Sequence, residues 1–459
     1  MSSTTWNGSS STDWATGANW STGSVPTTGA HVVIPDTSSI NNCVLDQNRT
    51  IGSLTIEANG TLVGGGYKLI IQSEGDASGG TEGFAVNNDG IISGNLDLEI
   101  NTPASTTCDF NGTSGNFQNV KLNHASVDAT FHTDTTFDGT LTIAAGTLKP
   151  QGGSAITVAG HTSITGTFGV ASGSGAHSFG SVIINSGGTF IATSGTTTVT
   201  SENASHAFRC SGGGTFTNND GTLEIQTPAQ TRLKMNGTGN VHHLTVNHAS
   251  CQLHMESDSS TTVEGNLTIT AGIVNTNTEG GASRDLTVTG DILIPSGGTL
   301  TGNSSTITVG HITLNGGTLS APDSSGSLVV TGPVKAGWLF NKTSGTFTHN
   351  NGLVHINAGL NSGHLRIDCY DLKITMNALS RVIWRDVSGN EMTVANDLTI
   401  VEGGFDRDSL TDNLTVTGDV VIEDGGKIGD QNGGSAETGA NTFGSLTIAS
   451  GGTYSATSG

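Results

Sequence analysis

The sequence predicts an all-β chain, a single elongated parallel β-solenoid (β-helix) with an N-terminal cap, built from super-repeats of about 130 residues. Repetition is the first observation behind this. Gly-Ser-Leu-Thr-Ile at 52–56 returns unchanged at 444–448. Equivalent register points lie at Gly52-Ser53-Leu54, Gly180-Ser181-Val182, Gly310-His311-Ile312 and Gly444-Ser445-Leu446, in steps of 128, 130 and 134 residues. A Gly-Thr pair follows each, at Gly60-Thr61, Gly188-Thr189, Gly317-Thr318 and Gly452-Thr453. The second observation is a shorter period of strands, for example at 54–56, 96–100, 141–143, 223–225 and 398–400. Most alternate apolar and polar residues, as half-buried strands do. Composition is the third. Of 459 residues 68 are Gly and 33% are apolar, which supplies a core and sets the chain apart from disordered sequence.

Taken in order, residues 1–50 depart from the repeat. Trp6-Asn7-Gly8, Trp14, Asn19-Trp20, Val25-Pro26 and the strand Val32-Val33-Ile34 form a segment with three of the five Trp residues. The end of a solenoid exposes an apolar cross-section and an open strand edge, so 1–50 is expected to cap it. Solenoid units are expected at 51–178, 179–308 and 309–442, with a fourth begun at 443–459 and cut within its first coils. Gly-Gly, Asn-Gly, Asp-Gly and Ser-Gly pairs between strands supply positive-φ corners. A strand spacing of about 15–26 residues then gives about twenty coils, a rod roughly 95 Å long at ~4.8 Å per rung.

The opening pattern of Trp-Asn-Gly, Trp, Ala-Asn-Trp, Gly, Val-Pro and a strand resembles the start of bacterial and phage surface β-helix proteins. These include autotransporter-type and filamentous-haemagglutinin-like adhesins with β-strand repeats. The resemblance covers about the first 35 residues. It implies an extracellular or virion-surface stalk and carries over no catalytic residue.

The expected function is a structural, non-enzymatic extracellular fibre or stalk, first of all a bacteriophage tail or head fibre on the virion. Its N-terminal cap would hold a virion or cell-surface anchor, with host glycan or receptor as a further partner. The alternatives are a bacterial cell-surface or secreted adhesin and a polysaccharide-degrading enzyme of the tailspike type. Met1-Ser2-Ser3-Thr4-Thr5 has neither the basic nor the apolar region of a secretory signal, and no run of 18 apolar residues predicts a membrane span. A net charge of −22 without a basic stripe speaks against nucleic acid.

No catalytic, cofactor-binding or metal-ligating residue is assigned. Cys43, Cys108, Cys210, Cys251 and Cys369 lack metal-ligand or disulfide spacing and are expected to be buried apolar side chains. His124 and His248 are expected to be packed structural residues, because their equivalent in the next unit is Met376. His242-His243 is expected to be a chance pair. Asp406, Asp408 and Asp412 form the densest carboxylate cluster and suggest a solvated turn more than a calcium site. Aligning Thr107-Cys108-Asp109-Phe110-Asn111 with 232–236 and 364–368 places Cys108, Leu233 and Leu365 inward, with Phe110, Met235 and Ile367 beside them. Arg232, Lys234, His364 and Arg366 then face solvent. The strongest break in the repeat gathers Trp338, Phe340, His364, Arg366, Asp368, Tyr370, Asp371, Arg381, Trp384, Arg385 and Asp386. An enzyme or glycan-binding face would lie there, with Arg366 and Asp368 expected on one side of one strand.

Overall fold

Alternating sequence becomes stacked parallel strands. The computed structural model describes residues 2–73, 84–111, 117–170, 172–258, 260–359, 362–385, 391–408, 411–429 and 438–456. It is an all-β parallel solenoid of about 18 turns. Two compact units make it up: Met1–Thr227 with Lys234–Gly239, and Pro228–Leu233 with Asn240–Gly459.

In the first unit, a full coil consists of the strands His31–Ile34, Cys43–Val44 and Arg49–Ile51. Each pairs in parallel with its counterpart in the next coil, Ser53–Ile56, Thr61–Val63 and Lys68–Ile71. Register is strict, because slipping by one residue would turn every apolar side chain outward. It produces an unbroken column of buried residues through successive rungs: Ile51, Ile71, Ile100, Leu122, Ile143, Ile164, Ile184 and Cys210. Beside it the rings of Phe168, Phe179, Phe190, Phe208 and Phe216 pack with centroids 5.0–6.1 Å apart. Burial of each such side chain contributes about 1.5–3 kcal/mol.

The second unit repeats the device. Leu286, Ile307, Leu328, Val354, Leu372, Leu398, Val420 and Leu446 stack in register. All are buried except Leu446, which sits on the last rung of that column and is 39% exposed.

Glycines mark the corners because backbone passes too close for a Cβ. A Cβ on Gly180 would lie 2.5 Å from the carbonyl oxygens of both Ala159 and Gly160, and one on Gly310 would lie 2.7 Å from that of Gly290. Gly52 and Gly444 meet carbonyls below them in the same way. The register points of the repeat are thus one corner of the coil, and the same corner recurs a coil earlier at Gly160, Gly290 and Gly418.

Above the first coil lies the tryptophan segment. Ser3–Thr5 pairs in parallel with His31, Val32 and Val33, and Asp13 bridges to Val44. Trp6, Trp14 and Trp20 are all buried, with Trp20 packed edge-on against Trp6 at 4.9 Å and Trp14 at 4.7 Å. Trp6 Nε1 donates to Asn41 O at 2.7 Å and Trp20 Nε1 to Trp14 O at 2.8 Å. Fully buried Asn19 knots the loop: its Oδ1 accepts from the amides of Ser10 and Ser11, and its Nδ2 donates to Asp13 O.

Cys108, Leu233 and Leu365 are all fully buried, as the unit alignment required. Ile367 is buried too, whereas Phe110 and Met235 are only half-buried. Phe110 sits at the rim of an aromatic cluster, 5.0 Å from Phe131 and 5.7 Å from Phe137. All five cysteines are buried free thiols.

Candidate functional site

Among the sequence candidates, the break in the repeat is where the structure collects most. In the second unit, Trp338–Thr348, Gly363–Leu365, Arg381–Trp384 and Leu398–Arg407 stack as neighbouring rungs. Alternation sets the outward side chains. Val382 and Trp384 point into the core and are buried, so Arg381, Ile383 and Arg385 face out. Register then sets Trp338 beside His364, His364 beside Ile383, and Ile383 beside Asp406.

Trp338 is therefore the aromatic residue of this face, and Trp384 belongs to the core, paired with Leu365 and Arg407. The Arg366 guanidinium lies over the Trp338 ring at 4.4 Å from its centroid, and that of Arg385 lies at 5.9 Å. Cation–π contact of this kind stabilises by about 0.5–2 kcal/mol and fixes orientation. His364 packs on the same indole at 5.1 Å. Burial pushes its imidazole below the ordinary pKa; Asp408 opposes that shift, while Arg385 and Arg366 add to it.

Arg366 and Asp368 both lie on the outward side, alternating with buried Leu365, Ile367 and Cys369, but they are not on one strand. The strand ends at Leu365, and the chain bends at Ile367. Arg366 goes to Trp338, whereas Asp368 is exposed and its Oδ1 accepts from the Thr393 amide at 3.0 Å. Phe340 is core, Tyr370 packs on His349 at 5.5 Å, and Asp371 accepts from Asn396 Nδ2 at 2.8 Å. Asp386 lies outside the described residues.

Three arginines divide the Asp406, Asp408 and Asp412 cluster. Arg381 Nη1 meets Asp406 Oδ2 at 3.0 Å, and Arg385 Nε meets Asp408 Oδ2 at 3.1 Å. Arg407 is buried beside Asp412, donating from Nη1 to Asp412 O at 2.7 Å and to Asn441 Oδ1 at 2.9 Å. Burial lowers its pKa, and the charges of Asp406, Tyr454 and Asp412 work against that shift. Asp406 and Asp412 are themselves buried and only Asp408 is exposed, so the cluster as a whole is not a solvated turn.

The histidines are corner pieces. His124 Nδ1 accepts from the Ser126 amide at 3.1 Å, and His248 Nδ1 from the Ser250 amide at 3.2 Å. Asn377 Oδ1 does the same for Leu379 at 3.2 Å, which makes Asn377, and not Met376, their structural counterpart. Leu372, Ile374 and Met376 alternate inward without a break, so Met376 is core and the turn falls to Asn377. His242 and His243 stack perpendicular at 4.4 Å, and His243 Nδ1 accepts from the Asn266 amide at 3.0 Å.

Sequence reasoning missed one part of this face. A pocket of about 240 Å³ opens between Arg381 and Lys427, floored by Gly404 and rimmed by Ser362, Leu379 and Ser380. Arg381, Gly404 and Lys427 form one outward column through three rungs. The signal was the Gly403-Gly404 pair inside a strand, where the absence of a side chain makes room.

A family model described as Domain of unknown function (DUF8693) matches residues 5–95, which take in the tryptophan segment and the strands through Ile91–Ser93. No curated protein and no solved structure matches the chain.

Proposed function

We propose that the chain is a structural, non-enzymatic fibre or stalk at an extracellular surface, carried as a tail or head fibre on a bacteriophage particle and anchored through its tryptophan cap. One observation supports this above others: many outward polar side chains bond up and down the stack. In the first unit Asn119 Nδ2 donates to Asp97 Oδ1 at 2.9 Å, Lys149 meets Asp128 at 2.7 Å, and Asn185 Nδ2 donates to Ser163 Oγ at 3.0 Å. In the second, Asn396 ties to Asp371, and Ser445 Oγ donates to Asp419 at 2.7 Å. Each tie joins a coil to its neighbour and recurs with the coil. Such a stack lengthens by adding coils without redesign of a core, which suits reach.

A bacterial surface adhesin would share this architecture, and the resemblance of the opening residues fits both. Immunogold labelling with an antibody against residues 1–459 separates them. Label on projections of released particles is the expected result, with an epitope tag ahead of Ser3 lying at the particle end. Label on the cell envelope alone would replace the virion with the cell, and label on neither surface would sink the stalk.

A further inference from the structure

We propose that the Trp338 face of the second unit binds a linear acidic polysaccharide, holding its carboxylate or sulfate groups on Arg366, Arg385 and Lys427, whichever surface carries the stalk. The chain has a net charge of −22 and only 16 Lys and Arg, yet this face presents Arg366, Arg381, Arg385 and Lys427 together. These cations are not equally engaged. Arg381 is mostly buried against Asp406 and serves as a wall. Arg385 and Asp408 are 43% and 41% exposed, and an ion pair that open is worth under about 1 kcal/mol, so an incoming anion can replace it. Arg366 is held by stacking on Trp338, and its buried Nε has no hydrogen-bond partner. Lys427, half-buried at the pocket, has no acidic partner among the described residues.

Geometry favours a polymer. The Arg366–Arg385 column and the Arg381–Gly404–Lys427 column run side by side, four residues or roughly 13 Å apart along the strands, with rungs every ~4.8 Å. A ligand that reaches both columns must extend across the face. The pocket, at about 240 Å³, falls below the ~300–1,000 Å³ of small-molecule sites and suits one sugar unit of a passing chain. Its rim supplies the exposed Ser362 and the 93% exposed Leu379, a mixture matched to the hydroxyls and apolar edge of a sugar ring. Single-stranded nucleic acid needs an open aromatic face for its bases, and Arg366 covers that of Trp338.

The test is calorimetric titration of the 1–459 chain with polygalacturonate, chondroitin sulfate, neutral dextran and single-stranded DNA. At least one acidic polysaccharide is expected to bind, more weakly as salt rises, while dextran does not. Arg385→Gln and Lys427→Glu are expected to keep the wild-type melting curve and to bind roughly tenfold more weakly, the loss of one charge-assisted hydrogen bond. Arg366→Gln serves as a third variant, judged only if its melting curve is unchanged. Absence of binding to both acidic polysaccharides, or equal binding by folded variants, overturns the proposal. DNA bound as tightly and lost in the same variants would also overturn it, since the face would then be a general polyanion site. Immunogold localisation is blind to all of these outcomes, so the stalk and this face stand or fall separately.

Discussion

Ser181 lies one rung above His161, its hydroxyl oxygen 3.0 Å from the imidazole Nδ1. Ser53 stands over His31 at 2.7 Å, and Ser445 over Asp419 at 2.7 Å. His311 over Asp291, at 3.6 Å, completes the series. The four register points of the repeat therefore share a physical content: a glycine that lets backbone turn against backbone, followed by a polar residue stacked on a polar residue.

The corner predicts a steep glycine requirement. Gly180→Ala drives a methyl group into two carbonyl oxygens and should destabilise the first unit by about 1–3 kcal/mol. Gly29→Ala, with nothing within 4 Å of the new carbon, should leave the melting temperature unchanged. Equal thermal shifts for the two variants would mean the corner is not a close approach.

Trp20 is buried between two other indoles, so Trp20→Ala should cost about 3–5 kcal/mol of local stability. Hydrogen exchange should accelerate over residues 3–34 and not in the second unit. Removing residues 2–30 exposes the edge of His31–Ile34, and light scattering should then detect association. A monodisperse truncated chain would show that the edge is guarded by something else.

His177 is packed against Phe168 at 5.3 Å, and its Nδ1 accepts from the Ile156 amide at 3.1 Å. Burial pushes its pKa from 6.5 to about 4. Between those values the unfolded chain binds a proton that the folded chain refuses, so stability rises with pH. The contribution is complete above pH 6.5, and as pH falls to 4 it is lost, by about 3 kcal/mol in all. His177→Phe should flatten this part of the profile, read as melting temperature against pH from 4 to 7. An unchanged slope in the variant would place the acid sensitivity elsewhere.

Arg407 is a buried cation satisfied by Asp412 O and Asn441 Oδ1. Truncation to alanine strands those groups and should cost about 3–5 kcal/mol, whereas Arg407→Met, which fills the space, should cost less. Denaturant melts of both variants check the order.

The solenoid was legible because each coil obeys the same alternation, and the inward set of Cys108, Leu233 and Leu365 followed from it. Side chains beside the core were harder. Trp384 could have been placed inward from Arg-Val-Ile-Trp-Arg alone, since Val382 and Trp384 share parity. Parity also holds for Arg366 and Asp368, outward on either side of buried Ile367; what went unannounced is the end of the strand at Leu365, which has neither a glycine nor a proline beside it. The inward alternation of Leu372 and Ile374 runs on to Met376, one step further than in the equivalent coils, and so gives the turn to Asn377. The pocket over Gly404 depends on three rungs brought together across many residues of sequence, which no local pattern reports.

Burial raises all five thiols, Cys108 and Cys251 to about 12, so essentially no thiolate exists at neutral pH. Without thiolate there is neither disulfide exchange nor ready alkylation. The folded chain consequently keeps one covalent structure under reducing and oxidising conditions alike, and a change of redox potential makes no demand on it.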